Sequence, residues 1–548
     1  MPPQRTSIAE WAFGPGPQGK LWPRWLWVRA LGLIFFSAFY SYSFQVRGLI
    51  GPDGILPVAG YLEEVRRAFG SQRFWYTPSL LWINNGSHAL QALWIAGLIA
   101  SVALILNLWP RASIAVCFIA YLSFVAVGQD FSEYQSDGML LAAGFLSFFL
   151  APHGLRPRLG DRDPPSRASV FMLQWLWLTI YFESGVVKLA SHDPEWRRLT
   201  ALDQYYQNGP LPNWIGWYAQ QLPHGFHAAT ALATLTIELG LVWLMFFPRP
   251  LRLGLFFVVT FFQLGIILTA NLTFLNHLVL ALGVFLLDDR FIMGAILWLR
   301  ARFRLHPGEA SGGEIVTPAA SSGEVVSRPE SAGTSTSSFP PRSWTALRRR
   351  AAVVFSAVVL IWIFYATLVQ LIMLWEPQPP LPLDPVAGLE PFRIANRYGL
   401  FASMTTARYE IEFQGSNDGQ NWVAYPFRYK PQRLDEAPRF YAPYQPRFDW
   451  NLWFASLGTW RQYPWVVRTE VLLLQNDPAV TSLFAGNPFA KAAPRQVRAV
   501  EWEYWFTDLK TKRATGEWWR REFGGLYAPT VELGPDGKVI ATQVPDQQ

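Results

Sequence analysis

Nine apolar runs recur along the first 375 residues of this 548-residue chain. Several approach the roughly 20 residues that an α-helix needs to cross the core of a bilayer. One such run fits a buried helix of a soluble protein, but nine in one chain predict a polytopic α-helical membrane protein. The runs cover residues 25–44, 89–108, 112–127, 139–151, 170–190, 228–247, 251–270, 274–287 and 351–375.

The number of spans depends on three short runs, at 112–127, 139–151 and 274–287. The first two can form two spans or one re-entrant hairpin, and either choice returns the chain to the same side. We therefore predict about eight to nine transmembrane helices. The first run follows a polar, basic segment without a convincing cleavage site, which indicates a retained signal anchor.

Composition excludes several classes of protein. Charged residues make up 16% of the chain, against about 25% in ordinary soluble domains. A single cysteine, Cys117, excludes intramolecular disulfides and thiolate zinc clusters. Phosphate-binding glycine loops and serine-hydrolase elbows are absent from the sequence, and the pattern predicts no cofactor, no metal and no nucleic-acid partner.

The basic residues are distributed unevenly. Residues 376–548 hold equal numbers of acidic and basic side chains, so residues 1–375 carry the whole net charge of +7. With the N-terminus inside and the spans alternating, 20 basic residues lie inside and 7 outside. This positive-inside bias predicts a cytosolic N-terminus and a C-terminal region in the periplasm, the cell exterior or a lumen.

The chain divides into five predicted parts. A flexible linker is predicted where Ser, Gly, Pro and Glu dominate without an apolar period. Beyond it and the last span, alternation at Arg408–Gln414 and Arg498–Phe506 predicts half-buried strands of a β-rich domain, with short helices near 448–457 and 464–475. The parts are a cytosolic segment 1–24, a multi-span domain 25–304, a cytosolic linker 305–343, a last transmembrane helix 344–375 and an outer β-rich domain 376–548.

Ionisable residues inside apolar runs are costly and mark candidate sites. Glu238 lies near the middle of its run, and either a functional role or a structural bond between helices explains it. Lys188 lies near the end of its run and can snorkel to the interface. Glu183 lies just over one turn deeper, and we expect it to form an ion pair with Lys188.

Other polar residues lie at predicted outer ends of the spans. Asp130, Glu133 and Asp137 would form one acidic face on a helix, although a solvated loop is the alternative. Gln263 completes this predicted polar cluster of the outer leaflet. The pair His224 and His227 lacks a second paired motif that would complete a metal site.

The predicted outer loop 191–226 is rich in Trp and Tyr. Such side chains suit either an interfacial belt or a surface that binds another chain. In the outer domain, Arg447 and Trp450 lie in a Gln-Pro-Arg-Phe-Asp-Trp stretch that can contribute to the same surface. The candidates for this surface are Trp196, Tyr205, Tyr206, Trp217, Tyr218, Arg447 and Trp450.

Several long motifs resemble the lipase maturation factor family. The resemblance covers most of the chain apart from the N-terminus, the linker and the tail. The motifs are Gly128-Gln-Asp-Phe, Gln135-Ser-Asp, Phe149-Leu-Ala-Pro152, Ser184-Gly-Val-Val-Lys-Leu, Asp193-Pro-Glu-Trp196, Leu199-Thr-Ala-Leu-Asp203, Pro210-Leu-Pro-Asn213, Asn396-Arg-Tyr-Gly-Leu-Phe401, Gln445-Pro-Arg-Phe-Asp-Trp450, Asn487-Pro-Phe489 and Trp518-Trp-Arg-Arg521.

This resemblance implies a polytopic protein that helps secreted or exported lipases to fold and assemble. The family's known members reside in the endoplasmic reticulum membrane, with a lumenal C-terminal domain. The scarcity of Cys, together with a composition rich in Ala, Arg, Pro and Trp, suggests a bacterial member of the inner membrane. The resemblance leaves the client and the oligomeric state open.

A second, nine-residue resemblance supports an alternative. Tyr181–Leu189 is similar to a stretch of the vitamin K-dependent γ-glutamyl carboxylases, whose matching lysine is assigned as a base. This implies a membrane enzyme with Lys188 as base and Glu183, His88 or Glu238 as partners. A non-enzymatic maturation factor accounts for more of the chain, and a transporter has less support because no inverted repeat is evident.

Overall fold

A computed structural model of the protein describes residues 8–14, 16, 19–303 and 344–545. The predicted linker 305–343 lies outside the described residues. The helices of the first part are α1 (Ile8–Phe13), α2 (Leu21–Ile50), α3 (Val58–Phe69), α4 (Arg73–Tyr76), α5 (Ser87–Ile105), α6 (Pro110–Val125), α7 (Gln135–Leu150), α8 (Arg167–Ala190), α9 (Pro194–Arg197), α10 (Ala201–Asn208), α11 (Trp214–Gln220), α12 (His224–Leu239), α13 (Arg249–Thr269), α14 (Leu275–Leu282), α15 (Asp289–Phe303) and α16 (Trp344–Ile372).

Five helical segments in the described residues are long and apolar enough to cross a membrane. They contain α5, α8, α12 with its 3-10 extension, α13 and most of α16. Helices α6 and α7 are apolar but shorter, as is α14 with its extension, and α2 spans 30 residues. The protein is therefore a helical membrane protein, while the count of eight to nine spans stays a prediction.

Helix α2 packs closely on α5 and α7, and this packing requires small residues on these two neighbours. A Cβ atom at Gly97 of α5 would lie 2.4 Å from the Phe39 ring, and one at Gly144 of α7 would lie 2.9 Å from the Phe35 ring. Both rings are fully buried. A larger residue at Gly97 would therefore push α5 away from α2.

One end of the bundle gathers basic side chains against loop carbonyls. Lys20 Nζ donates to the carbonyls of Phe285 and Leu287 at 2.7 and 2.5 Å. The buried Arg24 guanidinium donates to the carbonyls of residues 159, 160 and 163. Segments that charge counting assigns to one side of the membrane thus meet at one end.

The C-terminal part folds into an antiparallel sheet with flanking helices, as the alternating patterns predict. The strand order is β2-β1-β3-β5-β6, and β4 also pairs with β3. The elements are α17 (Asp384–Ala387), β1 (Tyr409–Ser416), β2 (Val423–Ala424), α18 (Arg447–Ala455), α19 (Trp465–Leu474), α20 (Pro478–Thr481), β3 (Gln496–Phe506), α21 (Leu509–Thr515), β4 (Trp519–Leu526), β5 (Thr530–Leu533) and β6 (Val539–Gln543).

Strand β1 departs from its predicted half-buried state, because both of its faces are buried. On one face Phe413 packs on Phe448 and Phe484. On the other, Glu410 forms ion pairs with the buried Arg408 and Lys430. Alternating charge predicted a solvated face, but partners from other segments cover it.

The outer domain packs directly on the end of α2. A Cβ atom at Gly48 would lie 2.5 Å from the Ala479 carbonyl oxygen, so the absent side chain lets α20 approach. Ser41 Oγ donates to the Gln445 carbonyl at 2.7 Å, and Gln45 Nε2 donates to the same oxygen at 2.9 Å. The bundle and the sheet domain therefore form one continuous packed unit.

Candidate functional site

Lys188, at the C-terminal end of α8, forms a buried ion pair with Glu238 of α12. The Nζ atom lies 2.9 and 3.1 Å from the two carboxylate oxygens, and the side chains are 3% and 10% exposed. Lys188 also donates to the carbonyls of Leu400 at 2.9 Å and Ser184 at 3.3 Å. Its three donors therefore have three acceptors, and it does not snorkel to the surface.

The expected ion pair between Lys188 and Glu183 is wrong. Glu183 Oε2 accepts a hydrogen bond from the Tyr398 amide at 2.6 Å, and Lys188 pairs with Glu238 instead. Residues five apart on a helix point about 140° away from each other, because each residue turns by about 100°. Both side chains contact the segment after α16, Glu183 at Tyr398 and Lys188 at Leu400, but only Lys188 reaches α12.

The residues of the proposed enzyme site do not assemble as a set. Only Glu238 joins Lys188, whereas His88 lies exposed in the first turn of α5. Lys188 lies against a carboxylate and two carbonyl oxygens, and these three acceptors occupy the three hydrogens of its ammonium group.

A second buried ion pair joins the outer domain to the bundle. Its basic partner is Arg447, at the start of α18. Its guanidinium binds both oxygens of Asp137 at 2.8 and 2.9 Å. It also donates to the Phe131 carbonyl at 2.6 Å and to Tyr121 Oη at 3.0 Å, and it lies 4.3 Å from the Tyr42 ring. Both charged side chains are 0% exposed, so this bidentate pair ties the domain to α7.

The predicted acidic cluster is therefore divided. Asp137 belongs to the Arg447 pair, Asp130 is half-buried and Glu133 is exposed. The three residues do not share a helix face, because α7 begins only at Gln135. Gln263 belongs to a separate contact, in which it donates to Tyr181 Oη and accepts from Asn276 Nδ2, both at 2.7 Å.

His224 and His227 both contact one carboxylate. Their Nδ1 atoms lie 2.7 and 2.8 Å from the two oxygens of Asp203 in α10. Nε2 of the buried His227 also lies 3.1 Å from the Ala219 carbonyl oxygen. This cluster fastens the outer loop to the start of α12.

Most residues proposed for the client surface are buried, several of them between the outer loop and the outer domain. Trp217 is fully buried, and its Nε1 donates to the Trp518 carbonyl at 3.1 Å. Trp196 Nε1 donates to the Phe401 carbonyl at 2.9 Å. Buried side chains cannot contact a client directly, so this prediction is wrong for Trp196, Tyr206, Trp217, Arg447 and Trp450.

Three aromatic residues near this junction stay exposed, and we call them the aromatic patch. Trp214 is 43%, Tyr218 46% and Phe440 40% exposed. The rings of Trp214 and Phe440 lie 5.8 Å apart, and those of Trp214 and Tyr218 lie 6.4 Å apart. Tyr218 was among the named candidates and Trp214 belongs to the Trp- and Tyr-rich loop predicted to contribute to the surface, whereas Phe440 was missed because exposure depends on tertiary packing.

Three carboxyl groups of the outer domain have raised pKa values. Burial raises the pKa of Asp449 to about 6, and burial with repulsion by Glu503 raises that of Glu501 to about 7. Burial also raises the pKa of Glu470 well above its usual range. Among the described residues Glu470 has no basic partner, and the Ala499 amide lowers its pKa only in part, so its neutral form is favoured.

Two of the observed pairings were not predicted from the sequence. They are the ion pair of Arg447 with Asp137 and the hydrogen bond from Lys188 to the Leu400 carbonyl. A buried charge requires an opposite charge or several acceptors. The sequence therefore signals that Arg447 and Lys188 need partners if they are buried. It does not say which of the many distant acids supplies them.

The fold defines a class of helical membrane proteins in which a β-rich C-terminal domain is fastened to one end of the bundle by buried charges. Residues 22–294 match the profile of the lipase maturation factor transmembrane domain. Residues 394–529 match that of the lipase maturation factor C-terminal domain. The two profiles correspond to the bundle and to the sheet domain.

Full-length relatives agree with these profiles. Lipase maturation factor 2 of Homo sapiens is 31% identical over 601 residues, covering 94% of this chain and 83% of the relative. Lipase maturation factor 1 of Bos taurus is 29% identical over 545 residues, covering 96% and 92%. The chain belongs to the lipase maturation factor family. No solved structure matches it.

Proposed function

We propose that this protein is a membrane-bound maturation factor that helps secreted or exported clients, lipases among them, to fold or assemble. Family membership across both domains carries this proposal. The chain's relatives are named for lipase maturation. The satisfied state of Lys188 supports a role without catalysis, because its donors are all occupied.

The client surface that we propose combines the outer loop with the outer domain and centres on the aromatic patch. Trp214 and Tyr218 come from α11, and Phe440 comes from the segment before α18. Exposed aromatic residues bury large areas at little entropic cost, so they suit recognition of incompletely folded chains. The buried Trp217 beneath them keeps the two parts aligned.

The orientation that we propose places the N-terminus in the cytosol and the outer domain on the opposite side. The 20-to-7 distribution of basic residues supports this orientation. The membrane would be the inner membrane in a bacterium and the endoplasmic reticulum membrane in a eukaryote. Clients would then meet the outer domain after export.

Co-expression with a secreted lipase tests the client surface. Replacement of Trp214, Tyr218 and Phe440 by Ala should lower the activity per molecule of secreted lipase, with normal amounts of maturation factor in the membrane. Equal replacement of Phe74, Trp75 and Tyr76, which are 54%, 48% and 48% exposed, is the matched control. Full maturation by the patch variant, or equal loss in the control, would refute the proposed location.

Reporter fusions test the orientation in a bacterial host. Alkaline phosphatase fused after Gln548 should be active, because it folds only outside the cytosol. The same enzyme inserted within residues 306–343 should be inactive. The opposite pair of results would reverse the proposed topology.

A further inference from the structure

A cavity of about 330 Å³ lies beside the Lys188–Glu238 pair, and we call it the Lys188 pocket. It lies between α10, α12, α13 and the segment around Phe401 and Met404. Its volume falls within the range of ligand pockets and is about twice that of an engineered cavity that binds benzene. The pocket is therefore large enough for part of a ligand.

The Lys188 ammonium and the threonine hydroxyls of the pocket already have partners within the protein. Lys188 has three acceptors, and Glu238 is its counter-ion. The hydroxyl groups of Thr230, Thr234 and Thr269 donate to carbonyls of their own helices at 2.8–2.9 Å. The remaining polar groups of the lining are the neutral hydroxyls of Tyr205 and Tyr206. An anionic head would meet the Glu238 carboxylate, so the pocket favours an uncharged, largely apolar group.

The mouth of the pocket opens on the apolar side of two candidate spans. Phe226 of α12 and Phe261 of α13 line the pocket and are 47% and 72% exposed. Phe261 belongs to an exposed apolar stripe that includes Phe257, Val258, Leu264 and Leu268. In a bilayer such a stripe borders lipid, where acyl chains are the most abundant apolar groups.

We propose that the Lys188 pocket binds one acyl chain of a bilayer phospholipid. The chain enters between Phe226 and Phe261 and packs on the aromatic lining, and the headgroup stays outside. Burial of the chain against Tyr205, Phe262 and Phe401 supplies the binding free energy. This site is independent of any client, and lipid binding is measured on the purified protein.

A glycine on α13 offers a precise way to block the pocket. Gly265 lines it, and a Cβ atom there would meet nothing within 4 Å. Gly265→Leu therefore fills the mouth without displacing the backbone. Gly254 also has open space at its Cβ position and lies eleven residues away, on nearly the same face of the helix, so Gly254→Leu is the matched control.

The experiment uses full-length protein in nanodiscs of phosphatidylcholine in which a fraction of the lipid carries a diazirine at the middle of one acyl chain. After photolysis, mass spectrometry quantifies labelling at Tyr205, Phe262 and Met404, which line the pocket, relative to labelling of α16. We expect strong labelling in the wild type and in Gly254→Leu. We expect an approximately tenfold loss in Gly265→Leu, as occlusion of a site requires.

Two outcomes would overturn the proposal. Unchanged labelling of these residues in Gly265→Leu would show that the signal comes from surrounding bulk lipid. In a second arm, a diazirine fatty acid is added to unlabelled nanodiscs. Labelling of the pocket by the fatty acid alone, without labelling by the phospholipid, would identify a free fatty acid as the ligand.

Discussion

Two buried ion pairs reach into the helical bundle, and they join different neighbours. Arg447 and Asp137 connect the outer domain to α7, and both side chains are 0% exposed. Lys188 and Glu238 connect two helices of the bundle and border the Lys188 pocket. The first pair is a fork of two parallel hydrogen bonds, whereas the second is a point charge against a carboxylate.

This difference indicates which ion pair costs more stability when one of its two partners is replaced. An arginine keeps its proton, and its fixed fork matches a carboxylate, so loss of either partner leaves a full charge in the interior. A glutamate beside a cavity can take up a proton and reduce the cost of losing its lysine. We therefore expect the junction between the domains to depend more strongly on its ion pair than the bundle does.

The largest effect is expected for Arg447→Met, which leaves Asp137 buried without its partner. Such a loss costs about 3–5 kcal/mol of unfolding free energy. Thermal and denaturant unfolding in detergent, followed by tryptophan fluorescence, measures it. Adding Asp137→Leu should recover much of the loss, because the unpaired charge is then gone.

Arg433→Met is the control for this first test. Arg433 pairs with Asp435 on the surface, with side chains 73% and 59% exposed, and such pairs contribute at most about 1 kcal/mol. Equal destabilisation by Arg433→Met and Arg447→Met would show that the buried ion pair contributes no more to stability than an exposed one.

A smaller effect is expected within the bundle, from a double-mutant cycle of Lys188→Met and Glu238→Gln. Residues in direct contact show interaction energies of about 0.5–3 kcal/mol. The cycle of Lys188→Met with Glu183→Gln should instead be additive within about 0.5 kcal/mol. Coupling of Lys188 to Glu183 rather than to Glu238 would contradict the observed pairing.

Glu470 extends the comparison to a buried carboxyl without a counter-ion. Its folded pKa is raised, so the folded state becomes less stable as the pH rises above the unfolded pKa of about 4.3, until the folded pKa is passed. Glu470→Gln removes this penalty. We expect equal stability of variant and wild type at pH 4 and a more stable variant at pH 8, by on the order of 1 kcal/mol.

Unfolding curves at both pH values test this difference. Asp449 and Glu501 are present in both proteins, so their titration cancels in the comparison. A variant that is less stable than the wild type at pH 8 would show that the ionised Glu470 has a partner and is not penalised by burial.

The smallest change in unfolding free energy is expected for Tyr218, on the exposed side of the junction between the outer loop and the outer domain. Tyr218→Ala removes a side chain that is 46% exposed, so the unfolding free energy should change by about 0.5 kcal/mol or less. The same detergent assay measures it. A loss comparable to that of Arg447→Met would make Tyr218 a structural residue and would remove it from the proposed client surface.

The elements predicted from periodicity illustrate what local sequence can reveal. The patterns around Tyr409–Gln414 and Arg498–Phe506 predicted strands, and β1 and β3 occupy those positions. Burial was less predictable, since Glu410 alternates like a surface residue but pairs with Lys430. The burial of the outer loop was mispredicted for the same reason. Its aromatic residues suggested a binding surface, yet Trp217 is fully buried where the loop meets the outer domain.

The sequence by itself determined the class of this protein, because the length and apolar character of a run are local properties. They decide whether a helix can cross the bilayer core. It also indicated that a charged residue within an apolar run, such as Glu238, must have a partner, since burial of an unpaired charge is costly. Only the tertiary structure decided the partners. Asp137 and Arg447 are 310 residues apart in the chain, and Lys188 and Glu238 are 50 apart. Such pairings depend on how the helices pack and where the outer domain docks, which no local pattern records.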